Sequence, residues 1–117
     1  MAAAMQLNHF TRLGIDIVEL SGRMVNTHSA ELRPKIIACI NGGTGRLIVD
    51  MRGVTFVDAS GLSVLVSAMK AVDAINGRFA LSGLQPPVLS LLELTRLHHI
   101  FEVFFTLEAA TESLNLP

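Results

Sequence analysis

The sequence predicts an α/β fold: a mixed central β-sheet whose central strands lie parallel, with about four helices packed on it. Three observations point there. Short apolar runs alternate with longer segments in which apolar residues recur at helical spacing. The joints between them are short and rich in glycine, proline or asparagine, and a strand joined to the next through a helix pairs with it in parallel. The chain has 117 residues, 50% of them hydrophobic and 16% charged, which suits one domain and is too apolar for a disordered chain. Residues 1–117 are therefore expected to form a single domain with an ordered core over about 6–115.

Each element has a local reason. Ile15, Ile17, Val18 and Leu20, with Asp16 and Glu19 among them, predict a strand that bends or bulges at Gly22 before Met24 and Val25. Thr27 or Ser29 is expected to cap a helix running to about Ile40. Ala30, Leu32, Ile36, Ile37 and Ile40 fall near helical spacing, and Pro34 is placed close to the first turn. Residues 41–45, Asn-Gly-Gly-Thr-Gly, end it as a mobile turn. Residues 47–49, running into Asp50, are continuously apolar, as in a strand covered on both faces. A turn at Gly53 follows, then residues 54–57 lead into Asp58, Ala59, Ser60 and Gly61. Leu62, Leu65, Val66, Met69 and Val72 predict a long helix from near Gly61 to Asn76 and Gly77. Residues 79–81 form another short strand, and Pro86-Pro87 opens a helix to about Leu94. Residues 100–105 are a last apolar run, after which Thr106 caps a C-terminal helix with Glu108 early in it.

Composition excludes several function classes. The net charge is −1, with six basic against five acidic residues in 1–58 and three against five in 59–117. No basic footprint for nucleic acid exists, and the absence of Trp and Tyr removes most stacking surface. Cys39 is the only cysteine and has no internal disulfide partner. The start MAAAMQLNHF lacks a basic and long apolar leader, so a cytoplasmic location is expected. No apolar run approaches the ~18 residues of a membrane span, so no membrane insertion is expected. Self-association is left open.

Catalytic and ligand motifs fail on inspection. Residues 42–46, Gly-Gly-Thr-Gly-Arg, lack the lysine ending of a phosphate loop and enter a strand rather than a helix. Ser60 sits between a strand and a helix like a hydrolase nucleophile, but Asp58 stands where the elbow requires glycine. His9, His28, His98 and His99 occupy no triad context, and no zinc spacing occurs. Asp16, Asp50 and Asp58 lack the companion ligands a magnesium site needs. No catalytic, metal or cofactor-binding residue is assigned.

One segment does stand out. Residues 47–62, Leu-Ile-Val-Asp-Met-Arg-Gly-Val-Thr-Phe-Val-Asp-Ala-Ser-Gly-Leu, resemble the core signature of the STAS domain, the fold of bacterial anti-sigma-factor antagonists. The resemblance extends to Gly22-Arg23-Met24 upstream, and downstream to Leu94-Thr95-Arg96-Leu97, Ile100-Phe101 and residues 107–110. Three positions depart from it: the family often has serine at Ala59, commonly aspartate at Val25, and often glycine at Arg96.

The resemblance implies a phosphorylation switch with Ser60 as acceptor. The unphosphorylated domain would bind an anti-sigma factor that is itself a serine kinase and so release the sigma factor. The kinase would phosphorylate Ser60, and a PP2C-type serine phosphatase would reset it. ATP and magnesium belong to the kinase, so this chain is expected to be substrate and ligand, not an enzyme. The partner surface implied is Asp58, Ala59, Ser60, Gly61, Leu62, Ser63, Ser67 and Lys70, with Asp50 and Gly53 supporting the loop. The same fold also allows an adaptor role, in a stressosome-like scaffold or a lipid-transport system.

Residue chemistry agrees with the switch. A serine in the first turn of a helix is reachable, and a phosphate there adds about −1.5 to −2 charge beside Asp58. A helix N-terminus favours an anion by ~0.3–1 kcal/mol, so the fold should tolerate it. Ser63, Ser67, Lys70 and Ala74 follow at helical steps and predict a small, nearly flat stripe open to a partner's backbone.

Overall fold

The computed structural model describes residues 5–116. The expected limits 1–117 therefore include positions 1–4 and 117 that lie outside the described residues. The elements run β1 (Gln6–Arg12), β2 (Ile15–Met24), α1 (Asn26–Asn41), β3 (Arg46–Val57), α2 (Ala59–Ala74), β4 (Arg78–Ser82), α3 (Pro86–Leu94), a 3₁₀ turn (Leu97–His99), β5 (Glu102–Phe104) and α4 (Leu107–Asn115). The five strands lie in chain order, with β1 antiparallel to β2 and every later pair parallel. This is the mixed sheet with four α-helices that the apolar periodicity predicts.

Strand alternation divides the core between the two faces of the sheet. Val18, Leu20, Leu47, Val49, Met51, Phe79 and Leu81 meet Leu32 and Ile36 of α1, Leu65 and Val72 of α2, and Val88 and Leu92 of α3. On the opposite face Ile15, Ile17, Ile48 and Ala80 lie under Leu107, Ala110 and Leu114 of α4. Both leucines of α4 are buried, each contributing about 1.5–3 kcal/mol.

Three departures from the sequence expectation have physical causes. β1 was not expected, because only Leu7 and Phe10 of this edge strand turn partly inward. Its hairpin to β2 turns on Leu13 and Gly14, both at positive φ (54° and 73°), a geometry usually announced by Asn-Gly. α1 begins before Thr27, so Pro34 falls in the helix interior, where it has no N–H to offer the Ala30 carbonyl. Neither Thr27 nor Ser29 caps the helix. Val25 holds the cap position and supplies no side-chain bond.

β3 runs unbroken through Gly53, where a turn was expected. A Cβ at Gly53 would lie 2.7 Å from Ser21 Cβ and 2.8 Å from the Leu20 carbonyl, so glycine lets β2 and β3 touch where their register slips. The register slips again at Gly22, as the sequence suggests.

The turn at 42–45, expected to be mobile, is fastened by Asp16. This nearly buried carboxylate accepts from Thr44 N (2.7 Å), from Thr44 Oγ1 (3.1 Å) and from His9 Nε2 (2.8 Å). Burial pushes the Asp16 carboxyl up, but bonds from the Thr44 amide, His9 and the Thr44 hydroxyl outweigh it and hold the group below the ordinary carboxylate value.

Candidate functional site

β3, the middle strand, ends at Val57, and α2 starts two residues later. Asp58 is extended (φ −103°, ψ −172°) and caps α2 by accepting from Gly61 N at 3.1 Å. Its backbone amide donates to the Met24 carbonyl at 3.1 Å, fixing the end of β3 beside the end of β2. A Cβ at Gly61 would lie 2.7 Å from that same Met24 carbonyl and 2.8 Å from Val57 Cγ1. The first turn of α2 therefore rests directly on backbone, and glycine alone fits there.

Asp58 also reaches a second helix. Its Oδ2 accepts from Asn26 N at 3.4 Å, a long bond on the first residue of α1. Where Val25 offers no cap, the carboxylate of another segment faces the helix start. The N-termini of α1 and α2 thus converge on one anion, an arrangement favoured by both helix dipoles.

Ser60 sits half-buried in this junction. Its Oγ is 2.5 Å from Asp58 Oδ1 and 3.1 Å from Oγ of the buried Ser29 on α1. A hydroxyl has one proton; the carboxylate is the stronger acceptor and takes it, leaving a Ser60 lone pair toward Ser29. The Ser60 hydroxyl, chiefly, with the Gly61, Asn26 and Ser60 amides, holds the Asp58 carboxyl below its ordinary value against the opposing effect of burial. Such a carboxylate is a weak general base, and no histidine bonds Ser60 among the described residues.

The other predicted partner residues sort by depth. Asp58 and Ser67 are half-buried, while Ala59, Ser63 and Lys70 are exposed. Gly61 and Leu62 lie beneath the surface, with Leu62 flooring an open groove of about 430 Å³ between α2 and α3. Phe56, Ala59, Val88 and Leu91 line the same groove, next to Ser60 along the chain, and Phe56 is 44% exposed despite being aromatic. The guanidinium of Arg23 lies 4.9 Å from the Phe56 ring centre.

The stripe along α2 is not bare, as its small residues suggest. Arg33 of α1 lays its guanidinium across it, with Nη1 donating to Ser67 Oγ at 2.5 Å and Nη2 to Ser63 Oγ at 2.9 Å. Sequence reasoning gave Arg33, Ser29, Asn26 and Phe56 no part in the site, Ser29 being expected only as a helix cap. Their part in the site comes from the packing of α1 on α2 and of β3 beside α3, which no local pattern records.

Asp50 and Gly53 act on the strands. Asp50, 3% exposed, accepts from Arg52 N at 3.1 Å and pairs with Arg52 Nη2 at 3.0 Å, and none of its hydrogen bonds reaches residues 58–61. The side-chain hydrogen bond from the Arg52 guanidinium to Asp50, with the Asp50 charge, raises the Arg52 pKa. Asp16, Asp50 and Asp58 thus each have separate partners. Among the described residues no cluster of three or more His, Cys, Asp or Glu side chains is arranged to hold a metal ion. Among the same residues no helix is long and apolar enough to cross a membrane. Cys39 is half-buried, and burial together with the Asp16 charge raises its thiol pKa.

Comparison with known proteins agrees with this architecture. The STAS domain family matches residues 8–110. An anti-sigma F factor antagonist of Paenibacillus polymyxa is 27% identical over 92 residues, covering 78% of this chain and 79% of the relative. The crystal structure of an anti-sigma factor antagonist from Mycobacterium paratuberculosis superposes with a TM-score of 0.87 at 22% identity, over 99% of this chain and 100% of that one. The anti-sigma factor antagonist SpoIIAA superposes in its unphosphorylated form with a TM-score of 0.77 at 23% identity, over 94% and 95% of the two chains. The phosphorylated form of SpoIIAA from Bacillus gives 0.71 at 22%, over 94% and 98%.

Proposed function

This chain belongs to the STAS domain family, and on that premise we propose that it is an anti-sigma-factor antagonist switched by phosphorylation of Ser60. In the unmodified state it binds an anti-sigma factor that is also a serine kinase, and the sigma factor is released. Phosphate on Ser60 ends the interaction, and a PP2C-type serine phosphatase restores it. The chain is substrate and ligand in this cycle and catalyses neither step. Relatives named anti-sigma F factor antagonists support the reading at the level of the family.

One observation carries it. A reachable serine hydroxyl stands at the joined N-termini of two helices, beside an apolar groove floored by Leu62 and rimmed by Phe56. The groove offers the desolvated contact that a protein partner needs. The proposed docking face comprises Asp58, Ala59, Ser60, Ser63, Ser67 and Lys70, with Gly61 and Leu62 holding its shape and Asp50 and Gly53 bracing β3 behind it. A phosphate at its centre adds about −1.5 to −2 charge and replaces a hydrogen-bond donor to Asp58 by an anion. Burying that charge at an interface costs about 3 kcal/mol, roughly a hundredfold in affinity.

The test is incubation of the protein with the anti-sigma serine kinase of its own host and ATP, followed by mass spectrometry. One phosphate on Ser60, absent from Ser60→Ala, is expected. An active kinase that leaves Ser60 unmodified overturns the switch.

A further inference from the structure

We infer that Arg33 is a phosphate-reading residue: when Ser60 carries phosphate, the guanidinium leaves Ser63 and Ser67 and pairs with it. The inference rests on the reading of Ser60 as a phosphoacceptor and adds a residue from a different helix to that site.

The geometry of α1 against α2 is the starting point. The two helices run side by side from the shared junction, where Ser29 Oγ of α1 and Ser60 Oγ of α2 are 3.1 Å apart. Further along both helices, Arg33 Nη2 donates to Ser63 Oγ at 2.9 Å and Nη1 to Ser67 Oγ at 2.5 Å. Arg33 follows Ser29 by four residues and Ser63 follows Ser60 by three, separations that bring side chains to neighbouring positions on one helix face, with Cβ atoms about 5–6 Å apart. The guanidinium is thus one turn from Ser60 on both helices. Its bonds to Ser63 and Ser67 lean it away from Ser60, and a change of rotamer toward the N-terminus, the direction long helical side chains favour, leads from Arg33 to Ser29 and Ser60.

Charge supplies the driving force. Among the described residues no carboxylate pairs with Arg33, so a full positive charge rests on two neutral hydroxyls. Phosphate oxygens are stronger acceptors and match the guanidinium fork. The charged group bonded to Ser60 is Asp58 from the β3–α2 joint; His28 of α1 contacts the Arg23 carbonyl at 3.4 Å, and the Arg23 guanidinium at the end of β2 lies over Phe56. Asp58 repels the phosphate, and Arg33, one turn away and paired with no carboxylate among the described residues, answers it. Moving Arg33 also uncovers Ser63 and Ser67, so one modification alters the docking face a full turn away from where it is made.

Phosphoserine placed at position 60 during translation tests this without any kinase. Its second pKa, ordinarily about 6, is read by phosphorus-31 NMR titration. Arg33→Gln should raise that value by ~0.5–1 unit, a three- to tenfold gain in proton affinity, and Arg33→Lys should recover part of the shift. In the parent protein the Arg33 Nε–H resonance should move on phosphorylation. Identical titration curves for the parent and Arg33→Gln phosphoproteins, or an unmoved Nε–H resonance, overturn the inference. A clear shift combined with a kinase that ignores Ser60 would uphold the pairing chemistry and reject the proposed switch instead, so the two failures are distinct.

Discussion

Ser60 and Asp58 meet on a carboxylate oxygen that already serves a helix: Asp58 Oδ1 takes the Ser60 hydroxyl at 2.5 Å and the Gly61 amide at 3.1 Å. Modifying Ser60 therefore removes a donor from the atom that caps α2 and sets an anion against it. The second oxygen keeps its contact with Asn26 N, so α1 registers the change too. Ser60, the Asp58 carboxylate and both helix starts form one electrostatic unit.

The first prediction concerns binding. Ser60→Ala should hold its partner within about threefold of the parent, whereas phosphoserine at 60 should weaken binding by roughly a hundredfold. Thermal unfolding should separate this from misfolding, because the converging helix N-termini favour an anion and the phosphorylated fold should persist. Titration calorimetry with the purified anti-sigma factor gives the affinities.

Asp58→Ala should destabilise the protein more than Thr106→Ala does. Thr106 caps only α4, through Ala109 N at 3.1 Å, and losing a single cap of that kind costs about 1 kcal/mol. Asp58 serves α2 and α1 together. Urea denaturation of the two variants ranks them; a smaller loss for Asp58→Ala would mean that the bond to α1 contributes nothing.

Acid should unfold the protein through Asp16 and Asp58. Both carboxyls lie below their ordinary pKa in the folded state, so their contribution is fully present above the unfolded value of about 4 and is lost as pH falls through the lower folded values. Stability measured in urea should stay flat from neutrality to about pH 5 as far as these groups govern it, then decline. Asp16→Asn should start about 1–3 kcal/mol lower at neutral pH and show a shallower acid limb.

Arg96 adopts the left-handed conformation, φ 61°, in the joint between α3 and the 3₁₀ turn, one of the positions where the family resemblance leads to glycine. An L-residue there is strained by roughly 1–2 kcal/mol, which the greater chain entropy of glycine offsets in part. Arg96→Gly should stabilise by about 0.5–1 kcal/mol, seen as a raised melting temperature. A lowered one would show that the arginine side chain makes a compensating contact.

Much of this fold is legible locally. The helical spacing of Leu62, Leu65, Val66, Met69 and Val72, the Pro86-Pro87 start and the Thr106 cap all predict elements found in place, because periodicity and capping act within a few residues. Gly22 marks a real irregularity for the same reason. β1 escaped notice because an edge strand buries little and its turn uses leucine where asparagine is the usual signal. Ser60, Asp58 and the departures at Val25 and Arg96 could be singled out from the chain. What they touch could not.

The sequence by itself determined most of the segments that become strands and helices, β1 excepted, and placed Ser60 in the first turn of α2. Tertiary structure alone decided that Asp58 faces two helix starts, that Ser29 meets Ser60, and that Arg33 covers Ser63 and Ser67. Those partners lie about thirty residues apart, and their register follows from how α1 and α2 pack over the same sheet face through Leu32, Ile36 and Leu65. Such packing sums many weak contacts, none of which leaves a mark on the spacing of residues along either helix.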